Sequence, residues 1–257
     1  MMSKQAVVVI GIGEMGSVFA RGLLRLGHPV YPVTRETDMQ ALAAELPAPA
    51  MVLVAVGETA LQPTLAQIPT AWQDKLALLQ NELLPADYAQ LPEPTVISVW
   101  FEKKKGQDSK VLVPSPAFGP RAQLLIDALG SLDIAARQAS SAEDMLFELV
   151  VKNLYIVTTN IAGLRVGGTV GELWQQHEAL ARAVAEDVID IQEALTGVHF
   201  DRKALVLAML VAFDGDPQHK CMGRSAPARL QRAIEHANKY GLGVPTLRQI
   251  AAEQASA

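Results

Sequence analysis

The stretch VVVIGIGEMG, Val7–Gly16, decides how the rest of the chain is read. Val7, Val8, Val9 and Ile10 leave no polar face, so the strand they form is expected to be buried on both sides, like a central strand of a parallel sheet. Gly11, Gly13 and Gly16 follow at G-x-G-x-x-G spacing. Met15, Val18, Phe19, Gly22, Leu23 and Leu26 then recur at helical spacing as far as Gly27, which can end the helix. Strand, glycine turn and helix are the setting in which such glycines bind a dinucleotide. Gly11 allows the tight turn, Gly13 lets a pyrophosphate approach the backbone, and Gly16 lets helix and strand lie close. The helix N-terminus adds free N–H groups and a positive dipole end. Gly11, Ile12, Gly13, Glu14, Met15 and Gly16 are therefore the expected cofactor-binding residues. The alternative is a turn with only a structural role.

Composition narrows what surrounds this stretch. At 257 residues, half of them hydrophobic, the chain can bury a sizeable core and form two domains. A net charge of −5, with no basic run longer than Lys103-Lys104-Lys105, argues against nucleic acid and anionic membrane as partners. The lysine triplet precedes Gly106 and reads as a solvated hairpin loop. Cys221 is the only cysteine, which excludes an internal disulfide and a cysteine metal cluster and fits a reducing cytoplasm. The five histidines are dispersed, without metal-ligand spacing, so no metal is expected. Met145 to Leu164 is apolar enough to raise the question of a membrane span. Glu148, Lys152, Asn153 and Asn160 interrupt it, and a buried helix is the better reading.

Outward from the glycine turn, strands and helices alternate. Val30 to Val33 is a strand ending at Thr34-Arg35. An arginine there can accommodate the 2′-phosphate of NADP, whereas an acidic residue favours NAD. Arg35 precedes Glu36, so NADP is expected. A helix over Asp38 to Leu46 precedes a strand over Met51 to Val56 and a further helix through Leu65. The next strand is Leu76 to Leu79, with Gln80-Asn81 at its end. Pro94 to Trp100 and Lys110 to Pro114 read as two strands around the lysine loop, closed by Phe118-Gly119-Pro120. A helix over Arg121 to Leu129 and a strand over Ile134 to Ala136 follow. This pattern is an α/β, Rossmann-type doubly wound parallel sheet with an antiparallel addition. Ligands bind such sheets at the carboxyl ends of the strands, where Gly11–Gly16, Arg35, Val56 and Asn81 all fall.

Strand patterning stops at Ser140. Residues 1–139 are expected to form the dinucleotide-binding domain and 140–257 a C-terminal all-helical domain for substrate binding and dimerisation. Ser140 with Glu143 reads as a capping box for a helix to about Gly163. On that helix Lys152, Ile156, Thr159, Asn160 and Gly163 share one sector. A lysine and an asparagine in so apolar a helix need partners or a cavity. Glu148, one turn earlier, permits the plainer reading of a Glu-to-Lys surface pair. Glu172 to Leu195 and Asp201 to Phe213 are further helices. Ser225 caps a final one that ends at Gly241.

Taken together, these pieces resemble the ketopantoate reductase family, within the wider group of 6-phosphogluconate-dehydrogenase-like folds. Phe118-Gly119-Pro120, Gly171-Glu172-Leu173 and Tyr240-Gly-Leu-Gly-Val-Pro245 match in the same order. The resemblance implies an NADP-dependent reductase of a 2-oxo acid, with Lys152 as general acid. It also implies that Asn81 contacts the nicotinamide end and Asn160 the substrate, with Ser225 where the family has its active-site glutamate. Ile156 and the neighbourhood of Val170 replace two family asparagines, and Gly57 replaces a lysine. Ketopantoate is thus expected to be a poor substrate. Lys220 or Arg224 could stand in for the missing contacts. Reduction of an imine and a non-catalytic NADP-binding role, as redox sensor or partner subunit, are the competing readings. A homodimer through the helical half is an open expectation.

Overall fold

The computed structural model describes residues 4–103 and 109–256. Lys104, Lys105 and Gly106 of the expected hairpin loop lie outside them. The chain divides into two compact units between Glu148 and Leu149, inside the helix that follows the last strand.

The first unit contains, in order, β1 (Val7–Ile10), α1 (Glu14–Arg25), β2 (Val30–Val33), α2 (Met39–Glu45), β3 (Met51–Val54), α3 (Leu61–Leu65), β4 (Leu76–Leu78), β5 (Thr95–Ile97), β6 (Phe101–Glu102), β7 (Lys110–Val111), β8 (Ser115–Phe118), α4 (Ala122–Gly130) and β9 (Ala136–Gln138). Seven strands form one sheet in the order β2-β1-β3-β4-β5-β8-β9. Those from β2 to β5 are parallel, and β8 runs antiparallel to β5. The doubly wound sheet expected from the sequence is present. Every residue of β1 and β3 is buried, as continuous apolar strands between two layers must be. From β1 the chain steps out to β2, then crosses to β3 on the other side. Ile10 is in register with both Val33 and Val54, so three carboxyl ends open at one level around the switch point.

Two strand expectations need correcting. Lys110 to Pro114 does not pair with Pro94 to Trp100 in the main sheet. β5 takes β8 as its neighbour instead, while β6 and β7 form a separate two-stranded ribbon. At the junction Ser115 Oγ accepts the Trp100 N–H at 2.9 Å and the Trp100 carbonyl accepts from Leu112 N at 2.9 Å, so the ribbon begins beside Trp100. The last strand lies at Ala136–Gln138, not Ile134 to Ala136, because Ile134 turns into the core.

The remaining elements are α5 (Ala142–Val166), α6 (Val170–Thr196), α7 (Arg202–Gly215), α8 (Ala226–Tyr240) and α9 (Pro245–Ala255). The start of α5 is capped one residue later than expected. Ser141 Oγ accepts from Asp144 N at 3.1 Å, and the Asp144 carboxylate accepts from Ser140 N at 2.7 Å. A true capping box opens α6, where Thr169 and Glu172 satisfy each other's amides at 3.2 and 2.8 Å. α5 has the length and hydropathy of a membrane span, yet 78% of its apolar window is buried within the protein. That is how a core helix behaves.

α8 is not the final helix; α9 follows it. Nothing in Val244-Pro245 offers a side-chain cap, and Val244 takes a left-handed conformation, φ 38° and ψ 59°, that a β-branched residue adopts at a cost. The cap comes from α6, where buried Asp187 accepts the Leu247 N–H at 2.9 Å. Burial raises the Asp187 carboxyl above its ordinary range, against the hydrogen bonds from Leu247 and Thr246.

Candidate functional site

The carboxyl ends of β1 and β3 form a cradle in the first unit. Gly11 has φ +90°, and a Cβ on it would lie 2.8 Å from the Ala55 carbonyl oxygen. A Cβ on Gly16 would lie 2.0 Å from the Gly11 carbonyl oxygen, so strand and helix approach as closely as glycine alone allows. Gly13 differs: a Cβ there meets nothing within 4 Å. The space in front of it is therefore open to a ligand. α1 starts from Gly13, with Ser17 N donating to Gly13 O at 2.9 Å as its first turn closes. The amides of Glu14, Met15 and Gly16 precede that turn and carry the positive end of the helix dipole. Ile12, Gly13 and Glu14 are exposed, and Met15 is half-buried. These residues fit a dinucleotide pyrophosphate.

The other sequence-predicted cofactor residues lie on the same rim. Arg35 is exposed in the turn after β2, which is tied by Thr34 N to Thr37 Oγ1 at 3.0 Å and Thr37 N to Thr34 O at 3.2 Å. Among the described residues its guanidinium makes no ion pair. Val56 follows β3, and Asn81 is exposed just past β4. Gln80, beside Asn81, is buried and has a role that sequence reading missed. Its amide nitrogen donates to Val54 O at 2.7 Å and Val56 O at 3.2 Å, while Oε1 accepts from Leu79 N at 3.1 Å. The side chain thus bridges the ends of β3 and β4. Its position at a strand end, next to a candidate ligand contact, was the available signal.

In the helical unit Lys152 is half-buried, with Nζ 5.9 Å from the centroid of the Tyr155 ring. Tyr155 is itself buried, packed edge-on against Phe213 with ring centroids 5.5 Å apart. Glu148, the partner in the plainer reading, is engaged by Arg137. Burial pushes the Glu148 carboxyl up, and the Arg137 guanidinium pulls it back. Ile156, one turn beyond Lys152, is buried, as is Val170.

Asn160 lies two turns after Lys152 and is 9% exposed. Its Nδ2 donates to Cys221 O at 3.1 Å and its Oδ1 accepts from Arg229 at 2.8 Å. A carboxamide so held keeps one N–H and one lone pair for a further partner. Arg229, a buried arginine on α8, is the second residue that sequence reading passed over. The available signal was its place at helical spacing from Ala226, Ala233 and Ala237, on the apolar face of α8, whereas Arg232 falls outside that face. Ser225 occupies the cap position of α8, one turn before Arg229. It is exposed, has helical φ/ψ and makes no side-chain cap bond, contrary to the capping role expected of it. An N-cap that accepts an amide needs extended backbone, which Ser225 lacks.

No family model matches this sequence, and no curated protein does. Solved structures do. The PanE/ApbA family ketopantoate reductase of Ralstonia eutropha JMP134 superposes with a TM-score of 0.65 over 96% of each chain, at 18% identity. The 2-dehydropantoate 2-reductase of Methylococcus capsulatus gives 0.68 over 97% of this chain and 96% of that one, at 15% identity. A dimeric ketopantoate reductase of Staphylococcus aureus gives 0.63 over 98% of both, at 16% identity. The resemblance read from the sequence motifs is thereby borne out as a shared fold: a Rossmann-type sheet followed by a helical C-terminal part.

Proposed function

We propose that this chain is a cytoplasmic, NADP-dependent oxidoreductase that reduces the carbonyl of a 2-oxo acid to an alcohol. The observation that carries the reading is the open approach to Gly13 at the start of α1, in a fold shared with ketopantoate reductases. Bound NADPH supplies the hydride. The amides of Glu14, Met15 and Gly16 hold the pyrophosphate, Arg35 meets the 2′-phosphate, and Asn81 lies toward the nicotinamide end. Gln80 keeps the β3 and β4 ends in place beneath them. Lys152 donates the proton to the carbonyl oxygen. Asn160 and Ser225 contact the substrate. A homodimer through the helical unit belongs to the same reading.

The substrate is more apolar than ketopantoate. Buried Ile156 and Val170 cannot donate hydrogen bonds where the family has asparagines, and each lost bond costs about 1–3 kcal/mol. The same two residues favour a second reading, a nucleotide-binding protein without turnover. Following NADPH consumption with a panel of 2-oxo acids and imines separates the two. Turnover of a 2-oxo acid supports the reductase, turnover of imines alone moves the activity to C=N bonds, and binding without turnover supports the second reading.

A further inference from the structure

Helix α7 carries a second surface of interest. Its inner face, with Leu205, Met209, Ala212 and Phe213, is buried. At about 100° per residue, Lys203, Leu207, Val211 and Asp214 fall in one outer sector. Leu207 is 63% exposed and Val211 60%, higher than any other large hydrophobic residue among those described. Side by side, they leave apolar surface in water that a partner could bury with a gain.

The charges at either end say what covers them. Lys203 lies in the first turn of α7 and Asp214 in its last, and neither has an ion-pair partner among the described residues. Both are placed against the helix's own dipole, which favours acids at the N-terminus and bases at the C-terminus. Against an antiparallel copy of the same helix, both placements become favourable. Lys203 would then lie beside the partner helix's C-terminal end and its Asp214. Asp214 would lie beside the partner helix's N-terminal end and its Lys203. About a two-fold axis near Met209, Leu207 meets the partner's Val211 and the partner's Leu207 meets Val211. Half-buried Ala204 and Leu210 flank this sector on either side. Such a pattern is self-complementary, as an isologous interface requires.

We infer that the outer face of α7 is the centre of a homodimer contact in which two copies of α7 pack antiparallel. The inference rests on the homodimer of the proposed reading and names the surface that forms it; the proposed chemistry is tested separately, by NADPH turnover.

Sedimentation velocity on the full chain, from about 1 µM to 1 mM, covers the range in which a modest interface associates. Dimer should form within it. Leu207→Glu places a charge in the apolar centre and should weaken association about ten-fold or more, while thermal unfolding stays close to wild type because the residue is exposed. Lys203→Asp and Asp214→Lys should each weaken the dimer, and the double variant should recover most of the loss. A monomer throughout the range overturns the inference and gives the face to a different protein. So does a dimer that is indifferent to Leu207→Glu, or a charge swap that brings no recovery.

Discussion

The side-chain amide of Gln80 donates to the carbonyl oxygen of Val54 at 2.7 Å, and so fixes the end of β3 from the end of β4. Val54 lies in register with Ile10, the last residue before the glycine turn. The cradle wall is therefore held by a side chain that touches no ligand in the proposed arrangement. Gln80→Leu removes both bonds and leaves the buried Val54 carbonyl and the half-buried Val56 carbonyl without this donor, a loss of about 1–3 kcal/mol in stability. NADPH affinity should fall as well, because Ala55 and Val56 line the approach to Gly11. Denaturant melts paired with calorimetry check both effects. Unchanged NADPH affinity in a folded Gln80→Leu protein would show that the bridge is structural only.

Three glycines respond differently to one added side chain. Gly13 has ordinary extended backbone, φ −79° and ψ −165°, and free space for a Cβ, so Gly13→Val should fold and fail to bind either nucleotide. Gly16→Ala should be destabilised whether or not ligand is present. Gly22→Ala is the control remote from the cradle, since its Cβ would meet the Ala128 carbonyl oxygen at 2.2 Å where α1 crosses α4. Its stability should fall, with nucleotide affinity retained in the folded fraction. A Gly13→Val protein that binds NADPH like wild type contradicts the pyrophosphate assignment.

The fold was legible where one local pattern was enough. Val7–Ile10 and Met51–Val54 read as buried strands because they are apolar without a break. Asp38 and Asp201 cap α2 and α7 with their own side chains, within a few residues of sequence. What the sequence hid depends on partners far along the chain. α9 is capped by Asp187, 60 positions away. The Asn160 carboxamide is held by groups 61 and 69 positions on. In the same way, β8 could not be told from β7 until Ser115 was seen to take the Trp100 amide. The glycine turn and the strand ends beside it, built from consecutive residues, were therefore readable, whereas the setting of Asn160 and Ser225 was not.

Arg35 should set cofactor preference. Wild type should bind NADPH more tightly than NADH, and Arg35→Ala should lower NADPH affinity while leaving NADH nearly unaffected, because only the 2′-phosphate is lost as a partner. Isothermal titration with both nucleotides reads this directly. Equal affinities that ignore the substitution would remove Arg35 from the site.

Asp187 makes a pH-dependent contribution. Its folded-state pKa is raised by burial, so the folded protein binds the proton more tightly than the unfolded chain does. Between the unfolded carboxylate value, about 4, and the folded value above it, this group makes stability fall as pH rises. Asp187→Asn keeps an acceptor for Leu247 N–H and cannot ionise, so that downward component should vanish with stability near pH 7 retained. Asp187→Ala leaves the start of α9 uncapped and should cost about 1–3 kcal/mol at every pH. Melts from pH 4 to 8 at about one-unit steps distinguish the three proteins. An Asp187→Asn profile parallel to wild type would contradict the assignment.

The most direct test of the proposed chemistry is the turnover of Lys152→Met with whichever 2-oxo acid wild type reduces. Methionine keeps much of the length and apolar character of the side chain and removes the proton and the charge. NADPH affinity should stay nearly constant, since the residues proposed to hold the dinucleotide belong to the first unit. If Lys152 protonates the carbonyl oxygen, kcat should fall about 10²-fold or more, the usual scale for a lost general acid. Wild-type turnover in Lys152→Met, or no turnover of any 2-oxo acid by the wild-type protein, would contradict the account.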